Sequence, residues 1–152
     1  MAGKPHVITV LVVDDEDDIQ YLLRLLLECE GMRVVAQAVD GVDALIEIAK
    51  LVPPVPTVIV LDNTMPALSG LEVAAHIFEA LPDQLIVLFS AFLTPAIIEE
   101  ARAMGIAACV AKTEVSTLPG IIARLVAEEI DIVLDEPVDL RGEKTDPAKR
   151  RF

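Results

Sequence analysis

The sequence contains few aromatic residues and few cysteines. Aromatic residues make up 3% of the 152 residues, and tryptophan is absent. The interior must therefore be built from aliphatic side chains, which are plentiful because hydrophobic residues make up 54% of the chain. Cys29 and Cys109 stand alone, without CxxC spacing or nearby histidines, so we expect two small buried residues in a reducing cytosol.

The sequence also contains few basic residues relative to acidic ones. Twelve Lys and Arg face 25 Asp and Glu, which gives a net charge of −13. Nucleic acids and anionic membrane surfaces bind basic patches, so this balance argues against direct contact with either. No apolar run approaches the roughly 20 residues that span a bilayer, and the start is too short and too acidic for a secretory signal. We therefore expect a cytoplasmic protein without membrane insertion.

Short β-branched runs alternate five times with amphipathic stretches. The predicted strands are apolar throughout, which is typical of a parallel sheet covered on both faces. Five such units with right-handed crossovers make a doubly wound α/β fold. The predicted strands are 7–13, 33–38, 57–61, 85–89 and 106–110, and the predicted helices are about 17–29, 40–51, 69–81, 94–105 and 117–130.

Local signals mark several helix ends and the domain limits. Ser69 with Glu72 forms a capping box, and Thr94 followed by Pro95 starts a helix for which Gly105 is the stop. We expect one domain over residues 1–130, with 131–152 as a helix extension and a mobile tail. The predicted apolar face of the first helix consists of Ile19, Leu22, Leu23 and Leu26.

Polar side chains follow four of the five predicted strands. Asp14 and Asp15 follow the first, Asp62 the third, Ser90 the fourth and Lys112 the fifth. Each residue alone has an ordinary explanation as a cap, a turn residue or a solvent-facing strand end. Together they bring three carboxylates, a hydroxyl and an ammonium to the carboxyl edge of one sheet, where such folds bind ligands.

This set of groups suits phosphoryl transfer to a carboxylate. Mg²⁺ prefers oxygen ligands and takes one or two carboxylates besides water, so Asp15 and Asp62 are candidates for direct ligands and Asp14 for a ligand through water. The ion would also screen the repulsion between the acids. Lys112 and Ser90 would each bind a phosphoryl oxygen. A phosphorylated aspartate is a known kind of covalent intermediate.

Three more acids, Glu16, Asp17 and Asp18, follow the aspartate pair directly. Carboxylates near a helix N-terminus interact favourably with the helix dipole. We therefore expect these three residues to cap and line the start of the first helix.

Four segments resemble the signature blocks of response-regulator receiver domains: VLVVDDE, VLDNTMPALSG, LFSA and VAKT, in this order. The similarity covers about residues 7–130. It implies a CheY-like, flavodoxin-like (βα)5 fold with strand order 2-1-3-4-5.

The resemblance also implies roles for the strand-end residues. A histidine kinase or phosphotransfer protein would donate a phosphoryl group to Asp62. Mg²⁺ would be held by Asp14 through water, by Asp15 and Asp62, and by the backbone carbonyl of Thr64. The site would need no other cofactor. Ser90 would be the switch hydroxyl, with Lys112 as the ionic partner of the phosphoryl group.

Phosphorylation would then change a protein-binding face made of the fourth helix, the fifth strand and the fifth helix. No output domain is recognisable, so we expect a stand-alone signalling protein that docks on an unidentified downstream protein, with a homodimer left open. Beyond self-phosphorylation from small donors and autodephosphorylation, we expect no enzyme activity.

Three positions depart from the family pattern. Cys109 stands where many receivers carry an aromatic switch residue, so a ring-flip readout is not expected. Thr113 replaces the proline that usually follows the lysine. Phe92, two residues after Ser90, is apolar where many relatives are polar, and our hypothesis is that it shields the acyl phosphate from water.

Two alternatives remain at this point. A pseudo-receiver would keep the fold and the partner face without phosphorylation, but its usual sign is loss of an acid or of the lysine, and neither is lost here. A phosphatase of the haloacid dehalogenase type would need a D-x-D-x-[TV] motif after the first strand, which residues 15–19 fit poorly.

Overall fold

A computed structural model describes residues 7–50 and 56–134, with side-chain positions through Glu129. The chain divides into two compact units, Met1–Ile122 and Ala123–Phe152. The first unit contains the whole sheet. The described part of the second unit is helical through Leu134. The predicted division at residue 130 remains a prediction, and most of the predicted tail, 135–152, lies outside the described residues.

Strands and helices alternate as the sequence pattern predicted. The strands are β1 (Thr9–Val13), β2 (Arg33–Ala38), β3 (Val58–Leu61), β4 (Leu85–Ser90) and β5 (Ala108–Ala111). The helices are α1 (Asp17–Cys29), α2 (Gly41–Lys50), α3 (Gly70–Ala80), α4 (Pro95–Met104) and α5 (Leu118–Leu134).

All neighbouring strands pair in parallel, in the order β2-β1-β3-β4-β5. This confirms the doubly wound α/β fold with strand order 2-1-3-4-5. The strand order changes direction between β1 and β3, where such folds bind ligands. The central strands are fully buried: no residue of Val10–Val13 or Val58–Leu61 is more than 1% exposed.

Helix ends follow the predicted signals. The hydroxyl of Ser69 accepts a hydrogen bond from the backbone of Glu72, whose side chain accepts one from the backbone of Ser69, which completes the capping box. Thr94 caps α4 through the amide of Ile97. Gly105 ends α4 with φ +102°, a left-handed conformation that glycine adopts without strain.

Two local predictions about α1 are wrong. The buried face of α1 consists of Gln20, Leu23 and Leu27, whereas Leu22 is 38% exposed. Cys29, expected in the interior, is exposed at the end of this helix.

A 3-10 turn over Lys112–Thr117, which the sequence analysis did not anticipate, joins β5 to α5. Within residues 7–50 and 56–134, no helix combines the length and hydropathy needed to cross a bilayer.

Candidate functional site

The parallel register of β1 and β3 places Asp14 and Asp62 side by side. Val13 pairs with Leu61, so the residue that follows each strand emerges at the same edge. The amide of Asp62 donates to the carbonyl oxygen of Val13 at 3.0 Å, which continues the pairing beyond the last strand residue. Backbone pairing therefore holds the two carboxylates together at the point where the strand order changes direction.

Asp14, Asp15 and Asp62 form one cluster. One carboxylate oxygen from each residue lies within 4.8 Å of the others. Asp14 is 1% exposed and Asp62 3% exposed, whereas Asp15 faces solvent. The positions of these residues at the predicted strand ends indicated this grouping.

The ammonium of Lys112 reaches into the cluster. Its Nζ lies 2.8 Å from Asp14 Oδ2 and 3.3 Å from Asp62 Oδ2. The third close carboxylate belongs to Glu16, whose Oε1 is 3.0 Å away. Lys112 follows β5 directly, so its long side chain must span β4 to reach the residues that follow β1 and β3.

Two pKa values reflect this crowding. Burial raises the pKa of Asp14, and neither the Lys112 ammonium nor the backbone amide of Glu16 fully offsets that effect. The nearby Asp62 carboxylate adds to the rise. Burial alone would lower the pKa of Lys112, but the surrounding carboxylates raise it above its usual value, so the ammonium stays charged at neutral pH.

The donor set fits a small divalent cation. Three carboxylate oxygens within 4.8 Å can converge on a hard cation after small side-chain movements, and exposed Asp15 leaves room for water ligands. Asp14 Oδ1 accepts a hydrogen bond from the Glu16 amide at 2.9 Å. Its buried Oδ2 has no hydrogen-bond partner in the described part of the chain, because Lys112 is close but not aligned for a hydrogen bond. This oxygen can therefore still bind a cation or accept a hydrogen bond from a water that the cation holds.

The loop after β3 is built around Asp62. The amide of Thr64 donates to Asp62 Oδ1 at 3.2 Å, which fixes the rotation of the carboxylate. Asn63 binds the start of α3 through both its backbone and its side chain, which accept from Gly70 and Leu71. A Cβ at residue 70 would collide with the carbonyl oxygen of Asp62, which explains the glycine in the predicted motif.

The structure places Ser90 at the last position of β4, paired with Ala111 of β5. Ser90 is fully buried, and its hydroxyl has no hydrogen-bond partner among the described residues. It therefore lies on the strand next to that of Asp62 and beside the residue before Lys112. No hydrogen bond joins the hydroxyl to the carboxylates.

Glu16 is the site residue that the sequence analysis misplaced. It occupies the N-cap position of α1, but its side chain makes no capping hydrogen bond and pairs with Lys112 instead. Asp17 and Asp18 do lie in the first turn of α1, as predicted. Glutamate is not among the favoured N-cap residues, and this was the available signal that its side chain is used elsewhere.

Gln20 is a second residue that the pattern did not reveal. Its buried side-chain amide donates to the carbonyl oxygens of Asp14 at 2.9 Å and Ala38 at 2.7 Å. It therefore ties α1 to the ends of β1 and β2, and fixes the backbone from which Asp14 projects.

Comparison with known proteins agrees with this geometry. Residues 10–123 match the family described as the response regulator receiver domain. Among curated relatives, the chain is 41% identical over 83 residues to protein-glutamate methylesterase/protein-glutamine glutaminase 3 of Hahella chejuensis, covering 55% of this chain and 23% of that protein. It is 36% identical over 77 residues to response regulator GacA of Pseudomonas protegens, covering 50% and 35%.

Solved structures resemble the chain over most of its length. The signal receiver domain of the putative response regulator NarL from Mycobacterium tuberculosis is 29% identical, with a TM-score of 0.68, and the match covers 81% of this chain and 98% of that one.

The chain spans about a third or less of the length of the curated relatives named here, so their whole-protein activities do not carry over. The family match covers the sheet apart from Thr9, together with every predicted site residue, and it leaves no support for the phosphatase alternative. The chain belongs to the response regulator receiver domain family of two-component signalling proteins.

Proposed function

We propose that this receiver domain accepts a phosphoryl group on Asp62 in a Mg²⁺-dependent reaction. Receiver domains interact with histidine kinases or phosphotransfer proteins, and a protein of one of these two classes is the proposed donor. The observation that carries the proposal is the contact of the Lys112 ammonium with Asp62, beside two further carboxylates within 4.8 Å. A nucleophilic carboxylate, a cation site and a fixed positive charge are the groups that phosphoryl transfer to aspartate requires.

Each residue has a proposed role in the transfer. An oxygen of Asp62 attacks phosphorus while the bond from phosphorus to the donor breaks, and the donor leaves with the electron pair. Lys112 stabilises a phosphoryl oxygen as a fixed positive charge, and the Ser90 hydroxyl donates to another. Asp15, Asp62 and the Thr64 carbonyl would hold Mg²⁺ directly, with Asp14 acting through water. The ion supplies charge neutralisation between the carboxylates and the phosphoryl group.

The proposed signal passes from Ser90 to the surface. Ser90 pairs with Ala111, so a movement of the serine toward a phosphoryl group would displace the end of β5 and the loop before α4. Cys109, at the usual aromatic position on β5, is half-buried and packs against the core, so the readout does not require a rotating ring. A partner protein would recognise α4 and β5, together with the first turn of α5.

Chemical trapping at the residue level tests this proposal. The protein is incubated with Mg²⁺ and acetyl phosphate, and the acyl phosphate is reduced with borohydride, which converts a phosphorylated aspartate to homoserine. Peptide mass spectrometry should find homoserine at position 62 only, and only when Mg²⁺ is present. Homoserine at Asp14 or Asp15, or trapping that does not depend on Mg²⁺, would contradict the assignment.

The pseudo-receiver alternative predicts no trapping at all. No structural observation favours it, because Asp14, Asp15, Asp62 and Lys112 are all present and grouped.

A further inference from the structure

The Lys112 ammonium divides its hydrogen bonds between Glu16 and Asp62. It donates to Glu16 Oε1 at 3.0 Å and to Asp62 Oδ2 at 3.3 Å, whereas Asp14 Oδ2 lies 2.8 Å away without hydrogen-bond alignment. The N–H donor held by Glu16 becomes available to a phosphoryl oxygen on Asp62 only when Glu16 releases it.

The three partners differ in how freely they can move. The side chains of Asp14 and Asp62 are 1% and 3% exposed, whereas that of Glu16 is 60% exposed. Buried carboxylates that lose their cationic partner cannot replace it with water, but an exposed carboxylate can. Glu16 is thus the partner that Lys112 loses at the lowest cost.

Helix α1 does not depend on the Glu16 side chain. The carboxylate of Glu16 makes no hydrogen bond to the amides of the first turn of α1, although Glu16 occupies the N-cap position. The backbone of Glu16 is held separately, because its amide donates to Asp14 Oδ1 at 2.9 Å. Releasing the carboxylate therefore breaks the ion pair with Lys112 and leaves the start of α1 intact.

We propose that Glu16 is a positioning residue that keeps one N–H donor of Lys112 turned away from the phosphoryl site until phosphorylation. The inference rests on the proposed function of Asp62. Before transfer, Glu16 keeps one N–H of Lys112 directed away from the three aspartates. The charged Glu16 carboxylate also stays at the exposed edge of the aspartate cluster. During transfer from acetyl phosphate, the bond from phosphorus to the acetyl oxygen breaks, acetate leaves with the electron pair, and the bond from Asp62 to phosphorus forms. Lys112 keeps its proton and exchanges Glu16 for a phosphoryl oxygen.

The pair therefore slows phosphorylation by a modest factor. Ion pairs with one exposed partner contribute little free energy, and that contribution corresponds to a change of about two- to fivefold in rate. Replacing Glu16 with glutamine should accelerate phosphorylation by this factor, because a neutral amide is a weaker acceptor for the ammonium.

The test compares Glu16→Gln with Asp17→Asn. Both variants remove one negative charge from neighbouring exposed positions, but only Glu16 contacts Lys112. The rate of adduct formation with acetyl phosphate is measured at saturating Mg²⁺, after the Mg²⁺ affinity of each protein has been determined. The ammonium resonance of Lys112 in the ion-free proteins, assigned with Lys112→Arg, reports the pair independently of phosphorylation.

We expect Glu16→Gln to react about two to five times faster than the wild type and to shift the Lys112 resonance, while Asp17→Asn does neither. Equal acceleration in both variants would reduce the effect to net charge and overturn the inference. An unshifted Lys112 resonance in Glu16→Gln would show that the pair is absent in solution. A loss of Mg²⁺ affinity confined to Glu16→Gln would assign Glu16 to the ion instead.

Failure of the proposed function gives a different result. If the wild type binds Mg²⁺ but accepts no phosphoryl group from acetyl phosphate or from a kinase, the role of Asp62 is refuted and this inference with it. If the wild type is phosphorylated and Glu16→Gln reacts at the same rate, the inference alone is refuted.

Discussion

Replacing Asp14 with asparagine is expected to stabilise the ion-free protein, although Asp14 belongs to the proposed site. Two unit charges 4.8 Å apart repel by about 3.5 kcal/mol at an effective dielectric constant of 20, and Asp62 lies within that distance of Asp14. Lys112 at 2.8 Å contributes an attraction of about 6 kcal/mol at the same dielectric constant, but it is shared with two other carboxylates. Desolvation of a carboxylate that is 1% exposed adds several kcal/mol of penalty.

Desolvation and the repulsion from Asp62 together outweigh the attraction to Lys112, so folding favours the neutral form of Asp14 and raises its pKa. We expect Asp14→Asn to increase the free energy of unfolding at pH 7 by about 1–2 kcal/mol. Lys112 keeps Asp62 and Glu16 as partners in this variant, so no buried ammonium is left unpaired.

The gain in the free energy of unfolding of Asp14→Asn over the wild type should depend on pH. Below pH 3.8, the ordinary pKa of an aspartate, Asp14 is protonated in both the folded and the unfolded state, so the variant has no advantage. As the pH rises from 3.8 towards the elevated folded pKa, Asp14 ionises in the unfolded state before it ionises in the folded state, so the wild type loses stability that the variant keeps. The advantage of Asp14→Asn should therefore grow with pH above 3.8 and level off once the folded side chain is ionised as well.

Urea unfolding from pH 4.5 to 7.5 without divalent cations measures the effect. Asp18→Asn is the matched control, since it removes the same charge from an exposed position in the first turn of α1. That variant should lose about 0.3–1 kcal/mol of favourable helix-dipole interaction. A destabilised Asp14→Asn at pH 7, or a gain that does not vary with pH, would refute the reasoning.

Three further predictions concern the loops around the site. Gly70→Ala should lose about 1–3 kcal/mol in urea unfolding, because the new Cβ collides with the Asp62 carbonyl, whereas Gly120→Ala, where a Cβ meets open space, should not be destabilised. Ala67 has φ +70°, so Ala67→Gly should gain about 0.5–1 kcal/mol, while Ala75→Gly on the exposed face of α3 should lose a similar amount. Phe92→Glu should shorten the lifetime of the phosphorylated state, measured by the decay of the adduct after donor removal; an unchanged decay rate would contradict the shielding hypothesis.

The order of elements was predictable because the apolar strands and helix caps are local signals. β2 and α1 have the predicted limits, and the capping box and Gly105 act as expected. The grouping of Asp14, Asp62 and Lys112 followed from the topology, since parallel strands deliver their carboxyl ends to one edge.

The remaining features depend on tertiary contacts that periodicity does not encode. The apolar residues of α1 are too dense to define one face, and Gln20 is buried because two backbone carbonyls accept its amide. The 3-10 turn after Lys112 carries no strong local signal, and it begins at the residue whose side chain enters the carboxylate cluster. The role of Glu16 required the position of Lys112, which lies 96 residues away along the chain.

The most direct test of phosphorylation at Asp62 is the intact mass of the protein after incubation with Mg²⁺ and acetyl phosphate, beside an Asp62→Asn control. We expect one phosphoryl adduct on the wild type, lost when Mg²⁺ is chelated before the reaction and absent from the control. An adduct of equal yield on Asp62→Asn, or no adduct from either acetyl phosphate or a histidine kinase on a wild type that binds Mg²⁺, would contradict it.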